Sequence, residues 1–359
     1  MEITELRLGN VRNLAQSEIG LVVGLNEFVG ANGAGKTSVL EAVFMLSHGR
    51  SFRAVRRESL IRFGCESLEV FALVQRNSSL RRLGLSRRKG DWSARVDGAE
   101  VVSLAQLLSE IAVVCFEPGS HELISGAADE RRHFVDWALF HVERDYVEIA
   151  RRFRRALKQR NALLRSGVST EGLDAWDAEL VRSGTVLDEW RQKYLAALLP
   201  GVEELAKRLL PELGVPTLKY QRGWPVELTF EEALSQRRER DLERAHTGSG
   251  PHRADWRLSF PAAPEREHLS RGQEKLTALV CLLGQAELFH KQCGDWPILC
   301  LDDLASELDL DHQQRVFGWL SAIDAQVLLT GTAPLAVTPS PLRQHARFHV
   351  EQGRVERLL

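Results

Sequence analysis

The sequence predicts an α/β fold, a mixed sheet with an antiparallel sub-sheet, interrupted by a short, mainly helical arm domain. Three observations carry that expectation. A strand-like run near the start leads through a glycine-rich loop into a helix, the segment from Leu68 to Val102 reads as hairpins, and residues from about 128 to 210 become amphipathic, Arg-rich and Leu-rich. The expected domains are 1–127 with 247–359, forming the sheet-bearing head, and 128–246, forming the arm.

Each element has its own signal. Ile3, Leu6 and Leu8 are spaced as in a strand, and Leu21-Val22-Val23-Gly24-Leu25 reads as a second strand running into the glycine-rich loop. A helix is expected over Ser38 to Leu46. Turn signals at Arg88-Lys89-Gly90-Asp91 and Val96-Asp97-Gly98 separate short strands. The arm helices are expected to break at Ser166-Gly167 and at Leu199-Pro200-Gly201. After Gly248-Ser249-Gly250-Pro251 come a helix over Gln273 to Phe289, a buried strand over Pro297 to Leu301 and a further strand over Gln326 to Thr330.

Composition narrows the class. With 359 residues, 44% hydrophobic and 27% charged, the chain can fill two ordinary cores without staples. The net charge of -2 gives no whole-chain basicity, so any nucleic-acid surface must be local. Cys65, Cys115, Cys281, Cys293 and Cys300 are scattered without zinc spacing and read as reduced thiols of a cytoplasmic protein. No apolar run is long enough to span a bilayer, and no membrane association is expected.

Gly30-Ala31-Asn32-Gly33-Ala34-Gly35-Lys36-Thr37 fits the phosphate loop G-x-x-x-x-G-K-[ST], the Walker A motif. Its amide groups can converge on phosphate oxygens at the positive end of the following helix. Lys36 would reach the β and γ phosphates of ATP, and the Thr37 hydroxyl is placed to ligate Mg²⁺. A Walker B strand over 297–303 supplies the second half: Asp302 emerges at its end to hold Mg²⁺, and Asp303 would polarise the attacking water. Asp303 and Lys36 are thus the expected catalytic residues.

Leu269-Ser270-Arg271-Gly272-Gln273 precedes that strand and resembles the ABC signature, in which a serine and a glycine at a helix N-terminus bind the γ phosphate held by a second protomer. Ser306-Glu307-Leu308-Asp309 stands in the place of the D-loop. An ABC-type P-loop ATPase head that closes on ATP as a homodimer is implied. A DNA-repair ATPase, a transporter subunit and a P-loop kinase remain as classes. Roughly 230 residues separate Lys36 from Ser270, too many for a transporter subunit and far too few for the long coiled coil of an SMC protein. A kinase has no use for the signature.

The whole chain resembles the RecF family. The resemblance is carried by Val11-Arg12-Asn13-Leu14, Gly49-Arg50-Ser51-Phe52-Arg53, Arg131-Arg132-His133-Phe134-Val135-Asp136, the run Lys158 to Leu164, Gly250-Pro251-His252-Arg253 and the Walker B region. It implies nucleotide contacts from Arg12 and Asn13 besides Gly30 to Thr37, Ser270, Gly272 and Gln273. It further implies DNA binding, slow ATP hydrolysis, ATP-dependent dimerisation, and work with RecR and RecO to place RecA on gapped DNA, with a link to the SOS response. Ala254 departs from the acidic residue usual after His-Arg, and Cys300 replaces a bulkier aliphatic. Thr330-Gly331-Thr332 lies where transporter ATPases keep a switch histidine, and Phe116-Glu117-Pro118 lies in the Q-loop region without a glutamine.

For DNA, Arg151, Arg154, Arg155 and Lys158 share one helical face beside an apolar stripe of Tyr146, Ile149, Phe153 and Leu157. Such a face is either a solvated charge stripe or a ridge for phosphates. The hairpin tip Arg87-Arg88-Lys89 is a second candidate, or a basic turn that protects a sheet edge.

Overall fold

The computed structural model describes residues 1–53, 57–76, 79–88, 91–166, 172–335 and 344–359. Contacts divide them into two compact units: Met1–His121 with Lys207–Leu210 and Arg271–Leu359, and Glu122–Ala206 with Pro211–Ser270.

The first unit begins with a hairpin of β1 (Glu2–Val11) and β2 (Leu14–Gly20), then β3 (Leu25–Val29) and α1 (Lys36–His48). β4 (Ser67–Arg76), β5 (Ser79–Arg88), β6 (Asp91–Val96), β7 (Ala99–Glu100), a short α2 (Leu104–Leu108) and β8 (Val113–Phe116) follow. The order β2-β1-β4-β5-β6-β7 makes a six-stranded antiparallel sheet. A register shift between Ile3 and Glu5 explains the broken alternation of the start: one extra residue turns Ile3, Leu6 and Leu8 to the same buried face. Asp97 and Gly98 form the expected two-residue turn between β6 and β7, whereas Lys89 and Gly90 lie outside the described residues.

The second unit holds α3 (Glu122–Ser125), α4 (Ala128–Val142), α5 (Tyr146–Ser166), most of α6 (Leu173–Leu209), β9 (Thr217–Gln221), α7 (Phe230–Arg244) and β10 (Asp255–Ser259). The expected break at Gly167 lies outside the described residues, and α6 runs straight through the break expected at Pro200. Proline removes one helical hydrogen bond, but Leu198, Val202 and Leu205 are each only 1% exposed, and their burial outweighs that loss. The unit ends at Ser270 rather than near 246 because β10 pairs with β9 from Asp255↔Gln221 to Ser259↔Thr217. Arg131 reinforces this by grasping both oxygens of Asp255 at 2.6 and 3.2 Å, while Ala254 beside it is buried without charge.

On α5 the buried residues are Tyr146, Ala150, Phe153, Ala156, Arg160 and Leu164. Ile149 and Leu157 of the expected stripe are only half-buried, and an arginine occupies the core line instead. Arg160 is 0% exposed and donates to Asp177 at 2.5 Å, Asp241 at 2.7 Å and the Thr247 hydroxyl at 3.0 Å.

The chain then returns to the first unit with α8 (Arg271–Cys293), β11 (Ile298–Leu301), α9 (Leu304–Glu307), α10 (Leu310–Leu320), β12 (Val327–Gly331), β13 (His345–Glu351) and β14 (Arg354–Arg357). A second six-stranded sheet has the order β14-β13-β3-β12-β11-β8, all parallel except the β14 edge. The strand that feeds the glycine-rich loop is therefore Leu25–Val29, not Leu21–Leu25. Its polar members are fully committed: Asn26 bonds Val22, and Glu27 accepts from Arg347 at 2.7 Å and the Leu335 amide at 2.6 Å. The buried Gln326 amide joins the two sheets by bonding the Ile3 N–H and C=O, each at 2.8 Å. Among the described residues no helix is long and apolar enough to cross a membrane.

Candidate nucleotide site

β3 ends at Val29 and α1 begins at Lys36, so residues 30–35 form the strand-to-helix loop. Gly35 caps α1 with φ of 119°, a backbone region that excludes side chains, and a Cβ there would also press on Asn13 and Leu14 at 3.0 Å. The buried Lys36 ammonium donates to the carbonyls of Gly30 at 2.7 Å and Ala31 at 3.0 Å. Burial lowers its pKa, opposed by the nearby charges of Asp303 and Asp302.

One buried carboxylate organises the floor of the loop. Asp302, 3% exposed at the end of β11, accepts from the Thr37 hydroxyl at 2.8 Å and the Thr330 hydroxyl at 2.7 Å. Burial raises its pKa, and those two hydrogen bonds act against the rise. The same Thr330 oxygen accepts the Asp303 N–H at 2.8 Å. Asp303 takes φ of 53°, a conformation uncommon outside glycine but tolerated by Asp and Asn, and concentrated at functional sites. Thr330 thus sets both aspartates from the neighbouring strand. Sequence reading noticed its position but assigned it nothing, because a lone threonine ending a strand carries no spacing signal.

Arg12 and Asn13 form the tip of the β1–β2 hairpin and part ways. Asn13 reaches the loop, donating to the Gly33 carbonyl at 3.0 Å. The Arg12 guanidinium instead grips buried Glu41 of α1 at 2.7 and 2.8 Å and the Ser59 carbonyl at 2.8 Å. Its place here is that of an anchor holding the hairpin to α1, and the Ser51 hydroxyl shares Glu41. Gly30 to Thr37, Asn13, Asp302 and Asp303 are therefore gathered in one place, with Arg12 just behind them.

Ser270, Arg271 and Gly272 are exposed at the start of α8, a helix of 23 residues, with Gln273 in its first turn. Lys275 one turn along is paired with Glu307 of the D-loop segment. Exposed donors at a helix N-terminus suit an anion brought by another molecule. At the end of β8 the Phe116 carbonyl accepts from the Asp302 N–H at 2.8 Å, so Glu117 follows directly beside the Walker B carboxylates.

Thr37, Asp302 and Asp303 offer hard oxygen ligands, the donor type Mg²⁺ prefers. Among the described residues no cluster of three or more His, Cys, Asp or Glu could hold a metal alone, so phosphate and water oxygens would complete the shell, as magnesium sites at phosphates usually require. The residues fit the ion.

In the second unit, Arg151, Arg154, Arg155 and Lys158 are all exposed along α5, whereas Arg152 is paired with Glu179 at 2.7 Å and Arg160 is in the core. The other basic candidate, the hairpin tip, is only partly described. Arg87 is 3% exposed and lies over the Trp92 ring, Arg88 pairs with Glu66, and Lys89 is outside the described residues.

The sequence model of the RecF/RecN/SMC N terminal domain matches residues 2–338. The DNA replication and repair protein RecF of Stenotrophomonas maltophilia (strain R551-3) is 47% identical over 364 residues, 99% of each chain. The chain belongs to the RecF family. RecF of Xanthomonas axonopodis pv. citri (strain 306) is 46% identical over 370 residues, again 99% of each chain. The structure of RecF with ATP in the RecFOR pathway superposes with a TM-score of 0.90 at 25% identity, over 99% of this chain and 97% of that one. An Smc head bound to the C-winged helix domain of ScpA matches with a TM-score of 0.60 at 16% identity, over 100% of this chain and 97% of that one, a likeness of fold. The ABC-type head expected from the motifs is the fold observed.

Proposed function

We infer that this chain is a RecF-type DNA replication and repair ATPase that binds and slowly hydrolyses ATP, closes as a dimer on it, and works with RecR and RecO to promote RecA loading at single-strand gaps and stalled forks. The observation that carries the ATPase reading is the Thr37–Asp302–Thr330 cluster beneath the phosphate loop, at 2.8 and 2.7 Å. The relatives named above, 47% and 46% identical over nearly the whole chain, carry the DNA reading.

Gly30 to Gly35 would wrap the phosphates with backbone amides, Lys36 would move from its loop carbonyls onto the β and γ phosphates, and Asn13 would hold the loop in shape. Thr37 and Asp302 would hold Mg²⁺, which when bound would supply charge neutralisation at the phosphates. Asp303 would polarise water, and Ser270, Gly272 and Gln273 of a second copy would close over the γ phosphate. The exposed ridge of Arg151, Arg154, Arg155 and Lys158 would hold DNA by its phosphates without reading bases, in the cytoplasm.

Gel filtration tests the first half. ATP is expected to shift the protein from monomer to dimer, and both Lys36→Met and Ser270→Arg to abolish the shift; a dimer that forms equally well without ATP would overturn the reading. For DNA, binding is compared on gapped, single-stranded and duplex substrates with and without ATP. Replacing Arg151, Arg155 and Lys158 by alanine is expected to weaken binding and to flatten the salt dependence by about 2 to 3 units of log–log slope, close to one per phosphate contact. An unchanged slope would remove the ridge from the interface.

A further inference from the structure

The Gly250-Pro251-His252-Arg253 run, which takes no part in the nucleotide site, builds a second feature. It forms a tight turn fixed from several sides within the second unit. Arg191 donates to the Pro251 carbonyl at 2.7 Å and Arg132 to the Ala254 carbonyl at 2.6 Å. The His252 Nε2–H donates to the Thr247 carbonyl at 3.1 Å, and burial pushes that imidazole down to about 4, so it is neutral at physiological pH. Gly223 follows β9 with φ of 94°, and a Cβ on it would stand 2.2 Å from the Gly250 carbonyl. Only glycine allows the β9 loop to lie so close against the turn.

The result is a cleft of about 490 Å³ whose lining includes Gln192, Lys219, Gln221, Arg222, Trp224 and Arg253, and no carboxylate. Lys219 and Gln221, two apart on β9, lie on its exposed face. Arg222 is held by Asp188 at 2.8 Å, which neutralises it and fixes it over the Trp224 ring, 4.4 Å from the centre. Lys219 and Arg253 are exposed and enter no ion pair among the described residues. Asp129, a carboxylate that feels the Arg253 charge, is itself bonded to Arg132 at 2.5 Å. The cleft therefore presents two cations without an ion pair among the described residues, Lys219 and Arg253, together with amide donors.

What it would take follows from the tryptophan. Trp224 is only 8% exposed, with Arg222 4.4 Å over its ring and Phe230 stacked against it at 4.7 Å. Trp224 therefore offers a nucleobase no open ring, unlike the aromatic platform typical of single-strand binders. A phosphodiester group, rich in acceptor oxygens and negatively charged, matches the donors that remain. We propose that this cleft is a second DNA-backbone contact of the arm, with Lys219 and Arg253 as its phosphate ligands, separate from the α5 ridge. The proposal rests on the DNA-binding reading above.

The test replaces Lys219 and Arg253 together by glutamine in the full chain and leaves Arg222, which is committed to Asp188, in place. Duplex DNA binding is followed across salt on two unrelated sequences. The double variant is expected to bind both more weakly, to the same extent, with the log–log salt slope reduced by about 2, while ATP hydrolysis without DNA stays unchanged. Inorganic phosphate should compete with DNA no better than chloride at equal ionic strength. If the double variant keeps the wild-type affinity and slope, the cleft is not a DNA contact and the proposal falls, although the ridge variant can still behave as expected. Specific displacement by inorganic phosphate would make it a free-phosphate site and equally overturn the proposal. A wild-type protein that binds no DNA at any salt concentration would sink the DNA reading itself.

Discussion

Asp303→Asn is expected to reduce ATP turnover by about 10² to 10⁴-fold while ATP still binds, the range by which a positioned general base or its loss changes a rate. The substitution isolates the charge because everything that holds the residue is backbone. Its N–H donates to Thr330 at 2.8 Å, its carbonyl accepts from the Ser306 hydroxyl at 2.9 Å, and both bonds survive in the variant. Asparagine also tolerates a φ of 53° as well as aspartate does, so the loop has no reason to rearrange. What disappears is an acceptor able to take a proton from water. In the proposed cycle, where ATP closes the dimer and hydrolysis opens it, the variant should persist as an ATP-bound dimer in gel filtration long after the wild-type protein has returned to monomer. Rapid turnover by Asp303→Asn, measured as phosphate release, would transfer the role to another residue. Glu117, next along from the strand end that accepts the Asp302 N–H, would be the first to examine.

The nucleotide loop was legible because its chemistry fixes residue types at fixed spacing, and Asp302 was legible because a fully apolar strand leads to it. The strand feeding the loop was not, for Leu25–Val29 carries Asn26 and Glu27 in the core, where side-chain hydrogen bonds replace the apolar pattern that marks a buried strand. Thr330 acts through an oxygen that reaches the end of the neighbouring strand, and no local sequence feature announces such a contact. Pro200 misled for the opposite reason: a local breaker rule is overridden by tertiary burial on both sides. The return from the arm to the head was misplaced because β9 and β10 pair across α7 and its flanking turns, and long-range pairing leaves no mark in a short window of sequence. Arg12 adjoins the nucleotide loop in the fold, with its guanidinium engaged with Glu41, a partner that no local spacing announces.

Arg160 gives the largest expected effect on stability. It lies on the same helix as the basic ridge, two residues beyond Lys158, but it is fully buried and is the hub of an ion cluster with Asp177 and Asp241. Asp241 also accepts the Gly248 N–H at 3.0 Å, and Asn161 accepts both the N–H and hydroxyl of Thr247, so the cluster fixes the chain that leads into the Gly250 turn. Arg160→Ala removes the cation and leaves two carboxylates close together, Asp241 with almost no access to water. Breaking a buried pair in this way costs about 3 to 5 kcal/mol, far more than the pair's net contribution over a well-packed apolar replacement. Arg160→Lys should recover only part of that loss, since a single ammonium cannot reproduce the fork that meets Asp177, Asp241 and Thr247 at once. With two units in the chain, the measurement must resolve the unfolding of the arm from that of the head, for instance by urea unfolding followed at residues of each unit. The arm transition is expected to move to lower urea and the head transition to stay where it is. An unchanged arm midpoint in Arg160→Ala would mean that the cluster is not a structural hub.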